Sequence, residues 1–171
     1  APHTIRSRMH RIRSFSWAAP ALTAAGVAGR TGLEFLHAML AGELPPPPIT
    51  YTLGFRLVAA DEGLARFEGI PAEAQYNPIG TVHGGWAFTL LDSAMGCAVM
   101  TCCDRDHAYT TSQVNIHFVR MITVATGPVT AEAKVVHVGK RVATAEGRLT
   151  DARGELLAHA TTSCIFLPRR G

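Results

Sequence analysis

One carboxylate stands alone in the middle of this chain. Between Glu73 and Asp104 the only formal charge is Asp92, nine residues after the histidine of a His83-Gly84-Gly85 step. The stretch from Thr81 to Met100 is otherwise apolar or small nearly all round, which predicts a buried helix of about 20 residues. Desolvating a carboxylate there costs several kcal/mol unless something compensates. Asp92 is therefore either a satisfied structural acid or a working group. Gly84 and Gly85, at the start of that helix, expose N–H groups that lack intrahelical partners, and without side chains they let a carbonyl oxygen come close. Reinforced by the helix dipole, such donors stabilise a developing oxyanion. His83 and Asn77 add polar groups at the entrance. Taken singly, His83 reads equally as a cap, Asn77 as a turn residue before Pro78, and the glycines as a tight bend. Together, ahead of one buried acid, they favour chemistry at a carbonyl.

Helix geometry adds a constraint. Gly84 and Asp92 lie eight residues apart, so roughly 12 Å along an α-helix and about 80° around it, and His83 lies about 13.5 Å from Asp92. A single reacting carbonyl needs contacts near ~3 Å, so one helix cannot bring both ends to it. Two antiparallel helices can, with Gly84 of one subunit facing Asp92 of another across a two-fold axis.

The elements that must position these residues follow from the flanking patterns. Residues 1–48 are expected to form an N-terminal extension. It holds an Ala-rich accessory helical segment, a short helix from Leu33 to Ala41 stopped by Gly42, and a stiff Pro45–Pro48 linker. Residues 49–171 form the second unit. Thr50 to Ala59 and Leu64 to Ile70 are strand-like, with Asp61-Glu62-Gly63 between them as a hairpin turn. The buried helix is expected from about Val82 to Cys103, followed by strands at 108–120, 128–138, 141–150 and 155–167. Val129, Ala131, Ala133 and Val135 alternate with Thr130, Glu132 and Lys134, the period of a half-buried strand. Ala143, Ala145 and Gly147 are small enough to face the helix. Two strands, one long helix and four strands make an α+β domain in which an antiparallel sheet wraps one central helix. This is the layout of a hotdog fold.

Asn-x-x-Gly-x-x-His-Gly-Gly with an Asp nine residues after the His resembles the PaaI-type acyl-CoA thioesterases of the hotdog superfamily, and the resemblance runs from about Thr50 to Leu167. It implies hydrolysis of a CoA thioester by a homodimer or a homotetramer built as a dimer of dimers, with no metal or organic cofactor. It further implies that Gly84 supplies the oxyanion amide and that Asp92 acts as general base or nucleophile on the partner subunit. Asn77 and His83 would orient the thioester or water, and Thr111, with Ser112 beside it, would assist the acid. Gly85 and Trp86 are candidate substrate contacts, and Lys140 and Arg141 at a hairpin tip are candidates for the CoA phosphates. Phe88, Met95 and Met100 are weaker candidates for lining an acyl pocket.

Composition narrows the alternatives. The chain has 171 residues, 47% of them apolar, enough for one compact core. Its net charge of +3 arises at Arg6, Arg8, Arg11 and Arg13, leaving the rest near −1. Such a body has no basic face for nucleic acid. Cys97, Cys102, Cys103 and Cys164 follow no metal-binding spacing and suit a reducing cytoplasm. No apolar run reaches membrane-span length, and the Ala-rich stretch after the arginines is broken by Pro20 and Gly26, unlike a signal peptide. Two functions compete with hydrolysis: a non-catalytic acyl-CoA-binding hotdog module, and an enoyl-CoA hydratase-type enzyme on the same fold.

Overall fold

The computed structural model describes residues 10–169. In chain order it contains α1 (Pro20–Ala25), α2 (Gly32–Leu40), α3 (Pro48–Leu53), β1 (Phe55–Asp61), β2 (Leu64–Gly69), α4 (Gly84–Thr101), β3 (His107–Phe118), β4 (Val129–Val138), β5 (Val142–Asp151) and β6 (Leu156–Pro168). The six strands form one antiparallel sheet in the order β1-β2-β4-β5-β6-β3, curled round α4. This is the hotdog fold the element order implies.

The sheet can wrap so closely because its inner face is made of small residues. Ala131, Ala133, Ala143, Ala145, Ala158 and Ala160 are buried there, opposite Leu90, Leu91, Met95 and Val99 of α4. A Cβ on Gly147 would sit 3.0 Å from Met95 Cγ and 3.1 Å from Leu91 Cδ2, so the helix has settled to the limit that the bare backbone allows. Burying each large α4 side chain contributes about 1.5–3 kcal/mol. The hairpin turns fall where expected, at 61–63, 139–140 and 151–154.

The expected strand from Thr50 is shorter. Pro48 opens a helix at its first turn and Gly54, at φ +72°, closes it in the left-handed conformation, so β1 starts at Phe55. Proline at a helix start and glycine past its end are favoured at those positions, and they override the strand preference of Ile49, Thr50 and Thr52.

The segment ahead of β1 lies on the body. Thr31 and Glu34 form a reciprocal capping box on α2, whose Phe35 and Leu36 are buried with Ala60 and pack against Leu57, Cys97 and Met100. Gly32 allows the closest approach: its N–H donates to Cys103 O at 2.9 Å, and a Cβ there would lie 1.7 Å from Met100 O. His37 Nε2 is hydrogen-bonded to Ala60 O at 2.9 Å, and Arg169 Nη1 donates to the carbonyls of Val27 and Arg30 at 3.1 and 2.7 Å.

Candidate active site

The loop that feeds α4 is organised by Asn77. Its Oδ1 accepts from the N–H groups of Ile79 and Thr81 at 3.1 and 3.2 Å, and its Nδ2 donates to Thr81 Oγ1 at 2.8 Å. Gly80 takes φ +83° to complete this turn. Asn77 thus spends its side chain on the loop. Val82 N–H and His83 N–H then donate to Ile122 O and Gln75 O, both at 2.8 Å, so the entry to α4 is fixed from both sides.

The His-Gly-Gly step resolves into three different jobs. His83 is the N-cap, and its Nδ1 accepts from Gly85 N–H at 2.9 Å. A ring nitrogen that accepts a backbone N–H carries no proton itself, so the neutral ring is protonated at Nε2 and presents that N–H as a donor. Gly85 N–H is thereby occupied. Gly84 N–H is not among the donors of the hydrogen bonds made by the described residues, which leaves it as the available amide at the positive end of α4. A groove of ≈ 510 Å³ runs past it, lined by His83, Gly84, Phe118, Arg120 and Met121. The Phe118 ring lies over Gly84, where a Cβ would stand 2.9 Å from Phe118 Cζ.

Two turns further along α4, Asp92 points into a different environment. It lines a cavity of ≈ 320 Å³ walled largely by apolar side chains, with Ser93, Tyr109 and Thr111 among its polar neighbours. Thr111 Oγ1 donates to Asp92 Oδ1 at 3.1 Å. Burial raises the Asp92 pKa above the usual carboxylate value, and the Thr111 hydrogen bond pulls it part of the way back. The pairing with Thr111 is helped by an irregularity in the β3–β6 register between Thr111 and Gln113. Such bulges re-aim single side chains. Cys97, on the same cavity wall, is pushed up to about 12 by burial and by the Asp92 carboxylate. It stays a thiol and is no competing nucleophile.

Other predicted residues are placed elsewhere. Ser112 is exposed and donates to Ser163 O at 2.9 Å, away from Asp92. Trp86 is buried, with its indole N–H bonded to Leu53 O at 2.8 Å. Met95 is core, whereas Met100 does line the Asp92 cavity. Lys140 lies by Cys102, Cys103 and His107 at the C-terminal end of α4, and Arg141 is beside it. Within one chain this basic pair is at the far end of the helix from Gly84. Sequence reasoning missed Tyr109, Ser93 and the α2 residues on the cavity wall. The apolar stripe of α2 was visible, but nothing local said what it would cover. Among the described residues no group of three or more His, Cys, Asp or Glu is placed to hold a metal ion, and no helix is long and apolar enough to cross a membrane.

A helix wrapped by an antiparallel sheet, with a free amide at its glycine-rich start and a hydrogen-bonded acid within, defines a hotdog-fold thioesterase. Comparison with known proteins agrees: residues 79–158 match the model of the thioesterase superfamily. A phenylacetic acid degradation-related protein from Ralstonia eutropha superposes with a TM-score of 0.69 at 29% identity, covering 75% of this chain and 97% of that one. A point mutant of the phenylacetic acid degradation protein PaaI from Thermus thermophilus gives 0.65 at 25% identity, covering 71% and 100%. The 1,4-dihydroxy-2-naphthoyl-CoA hydrolase of Listeria monocytogenes is 26% identical over 106 residues, 62% of this chain and 85% of that protein. Residues 79–158, a little under half of the chain, carry the likeness to the thioesterase superfamily, and the fold is that of a PaaI-like hotdog thioester hydrolase.

Proposed function

We propose that this protein hydrolyses acyl-CoA thioesters at two equivalent sites, each shared between the subunits of a homodimer. The observation that carries this reading is the separation of the two working groups on one helix. The free Gly84 amide and the Thr111-bonded Asp92 are eight residues apart, roughly 12 Å along α4, so only a second copy can supply both to one carbonyl. The sheet supports such a pairing. β3 is a 12-residue edge strand with a partner on one side only, and Phe118, Val119 and Met121 are exposed at its end. A long unpaired edge of this kind is a template for a second chain.

In this site the thioester carbonyl oxygen accepts from Gly84 N–H, and His83 Nε2–H orients the thioester or the water. The partner subunit's Asp92 takes a proton from water as the water oxygen bonds to the carbonyl carbon. The oxyanion, held by Gly84, collapses, the C–S bond breaks, and the thiolate leaves with CoA and regains a proton. In the nucleophilic variant the carboxylate itself attacks, the C–S bond breaks to release the CoA thiolate, and water then cleaves the resulting anhydride. Label found in Asp92 after a single turnover in ¹⁸O water marks direct attack, with water adding at the aspartyl carbonyl of the anhydride. Antiparallel pairing also turns the C-terminal end of one α4 toward the start of the other, which would bring Lys140 and Arg141 of the second subunit toward the CoA phosphates. The unpaired cysteines Cys97, Cys102, Cys103 and Cys164 fit a cytoplasmic setting.

Thiol release from acyl-CoAs tests the activity: wild type is expected to turn over, and Asp92→Asn to lose about 10²–10⁴ in kcat, the usual worth of a positioned base. Mixing tests the sharing. Subunits inactivated at Asp92 and subunits inactivated at Gly84, once exchanged, form heterodimers in which one of two sites is intact, so activity returns. No recovery after verified exchange places both groups in one chain's site and removes the shared-site reading.

A further inference from the structure

The cavity at Asp92 is not built from the thioesterase core alone. One wall comes from the segment ahead of β1: Phe35, Leu36 and Met39 of α2, with Pro46 and Pro47. The rest of the lining includes Phe55, Leu57 and Phe67 of β1 and β2 with Met100 of α4. None of the α2 or proline residues falls within the superfamily match at 79–158. The solved relatives are covered over 97% and 100% of their length by 75% and 71% of this chain. A quarter or more of this chain therefore has no counterpart in them, a length comparable to the segment ahead of β1.

We infer that this segment is the acyl-recognition wall of the enzyme, and that Met39 with Pro46 and Pro47 limits the acyl group to a medium-sized apolar one. The inference rests on the functional reading above. Three observations support it. The cavity contains Asp92, the group that must meet the reacting carbonyl, so an acyl chain attached to that carbonyl has this space beside it. Among the described residues the lining offers no cation and only one carboxylate, Asp92, so it suits hydrocarbon rather than a charged acyl group. The wall is also fixed: Gly32, His37 and the carbonyls of Val27 and Arg30 tie it to α4, β1 and the end of β6. A volume of ≈ 320 Å³ holds roughly ten non-hydrogen atoms if each takes about the 30 Å³ of a water molecule. Linear acyl groups of about eight to ten carbons, or acyl groups with a single aromatic ring, fill such a space. Chains near twice that length do not.

Met39 is the residue to change, because it is only partly buried and Leu36 is core. The readout is the ratio of kcat/KM for dodecanoyl-CoA to that for octanoyl-CoA. Met39→Ala is expected to raise it about tenfold, the scale of discrimination by one or two methylenes in an apolar pocket. Met39→Trp is expected to lower it by a similar factor. Opposite signs cannot both come from a loosened fold. Leu40→Ala, one residue along and outside the cavity lining, is expected to leave the ratio alone. An unchanged ratio in both Met39 variants, or a shift in Leu40→Ala equal to theirs, overturns the inference. Binding separates this from failure of the functional reading. In Asp92→Asn, calorimetric Kd values for the same two acyl-CoAs should follow Met39 in the same direction. If wild type releases no thiol yet Kd still follows Met39, the hydrolase reading falls and the wall stands. If thiol is released but neither ratio moves, the reverse holds.

Discussion

The two ends of the working stretch of α4 are opposite environments. At Gly84 the helix is wet, glycine-rich and electropositive by virtue of the unpaired Gly84 amide and the helix dipole, with His83 exposed beside it. The Asp92 end is the drier one, half-buried and walled largely by apolar side chains, and among the described residues the acid has one hydrogen bond, from Thr111. The first environment suits a group that must receive negative charge as it develops. The second suits a base, since poor solvation raises the proton affinity of a carboxylate. A single environment could not serve both. Separating them on one helix and rejoining them across two, as proposed, would let each be tuned without disturbing the other.

Removing the donor at the wet end should have a larger effect than removing the Thr111 hydrogen bond at the dry end. Gly84→Pro deletes the N–H at a position where proline is well tolerated, the first residue of a helix. His83, at φ −61° and ψ 135°, already has the extended backbone that a residue before proline prefers. The Phe118 ring, 56% exposed, is free to swing aside. The expected result is unchanged helix content by circular dichroism and a fall of about 10²–10³ in kcat, the measured scale for an oxyanion donor. A variant as fast as wild type would show that the wet end does not bind the oxyanion.

At the dry end, Thr111→Val removes the contribution that lowers the Asp92 pKa while keeping the side chain's shape. The base works only when ionised, so kcat/KM should fall as pH falls through the Asp92 pKa, at a higher pH than for an ordinary carboxylate. In Thr111→Val that acid limb should move further up the pH scale. An acid limb that stays in place in the pH–rate profile would assign Thr111 a purely structural part.

The smallest effect is on stability. Because folding raises the Asp92 pKa, the ionised acid opposes folding, and the penalty is fully present above the folded value and vanishes below the unfolded one. Asp92→Asn should therefore have a higher Tm than wild type at pH 8, and the difference should shrink as the pH falls toward 4. An equal or lower Tm at pH 8 would mean that the dry end is not under strain.

The fold and the enzyme class were legible in the sequence, and the placement of the segment ahead of β1 was not. A lone acid in an apolar helix, nine residues past His-Gly-Gly, identifies itself because charge is costly where it stands. The alternating alanines of β4 and β5 likewise reveal a sheet that hugs a helix. By contrast, nothing local could tell that Gly85 is occupied by His83 Nδ1 while Gly84 is free, since two adjacent glycines look alike until a side chain turns toward one. The helix at 48–53 was hidden by β-branched residues whose preference is weak beside proline and glycine at its ends. Ser112 and Thr111 could be told apart only by the bulge that falls at Ser112. The destination of α2 depends on Gly32 meeting Met100 across about seventy residues of chain, a contact with no signature in either segment.

The guanidinium of Arg169 gives the molecule an unexpected mechanical property. It holds the carbonyls of Val27 and Arg30 from just past β6, so two distant stretches of chain are clasped together just outside the proposed acyl wall. Enzymatic trimming past that arginine would leave every catalytic group in place, yet the slackening would be felt at the opposite end of the sequence, as a blurring of which thioesters are accepted.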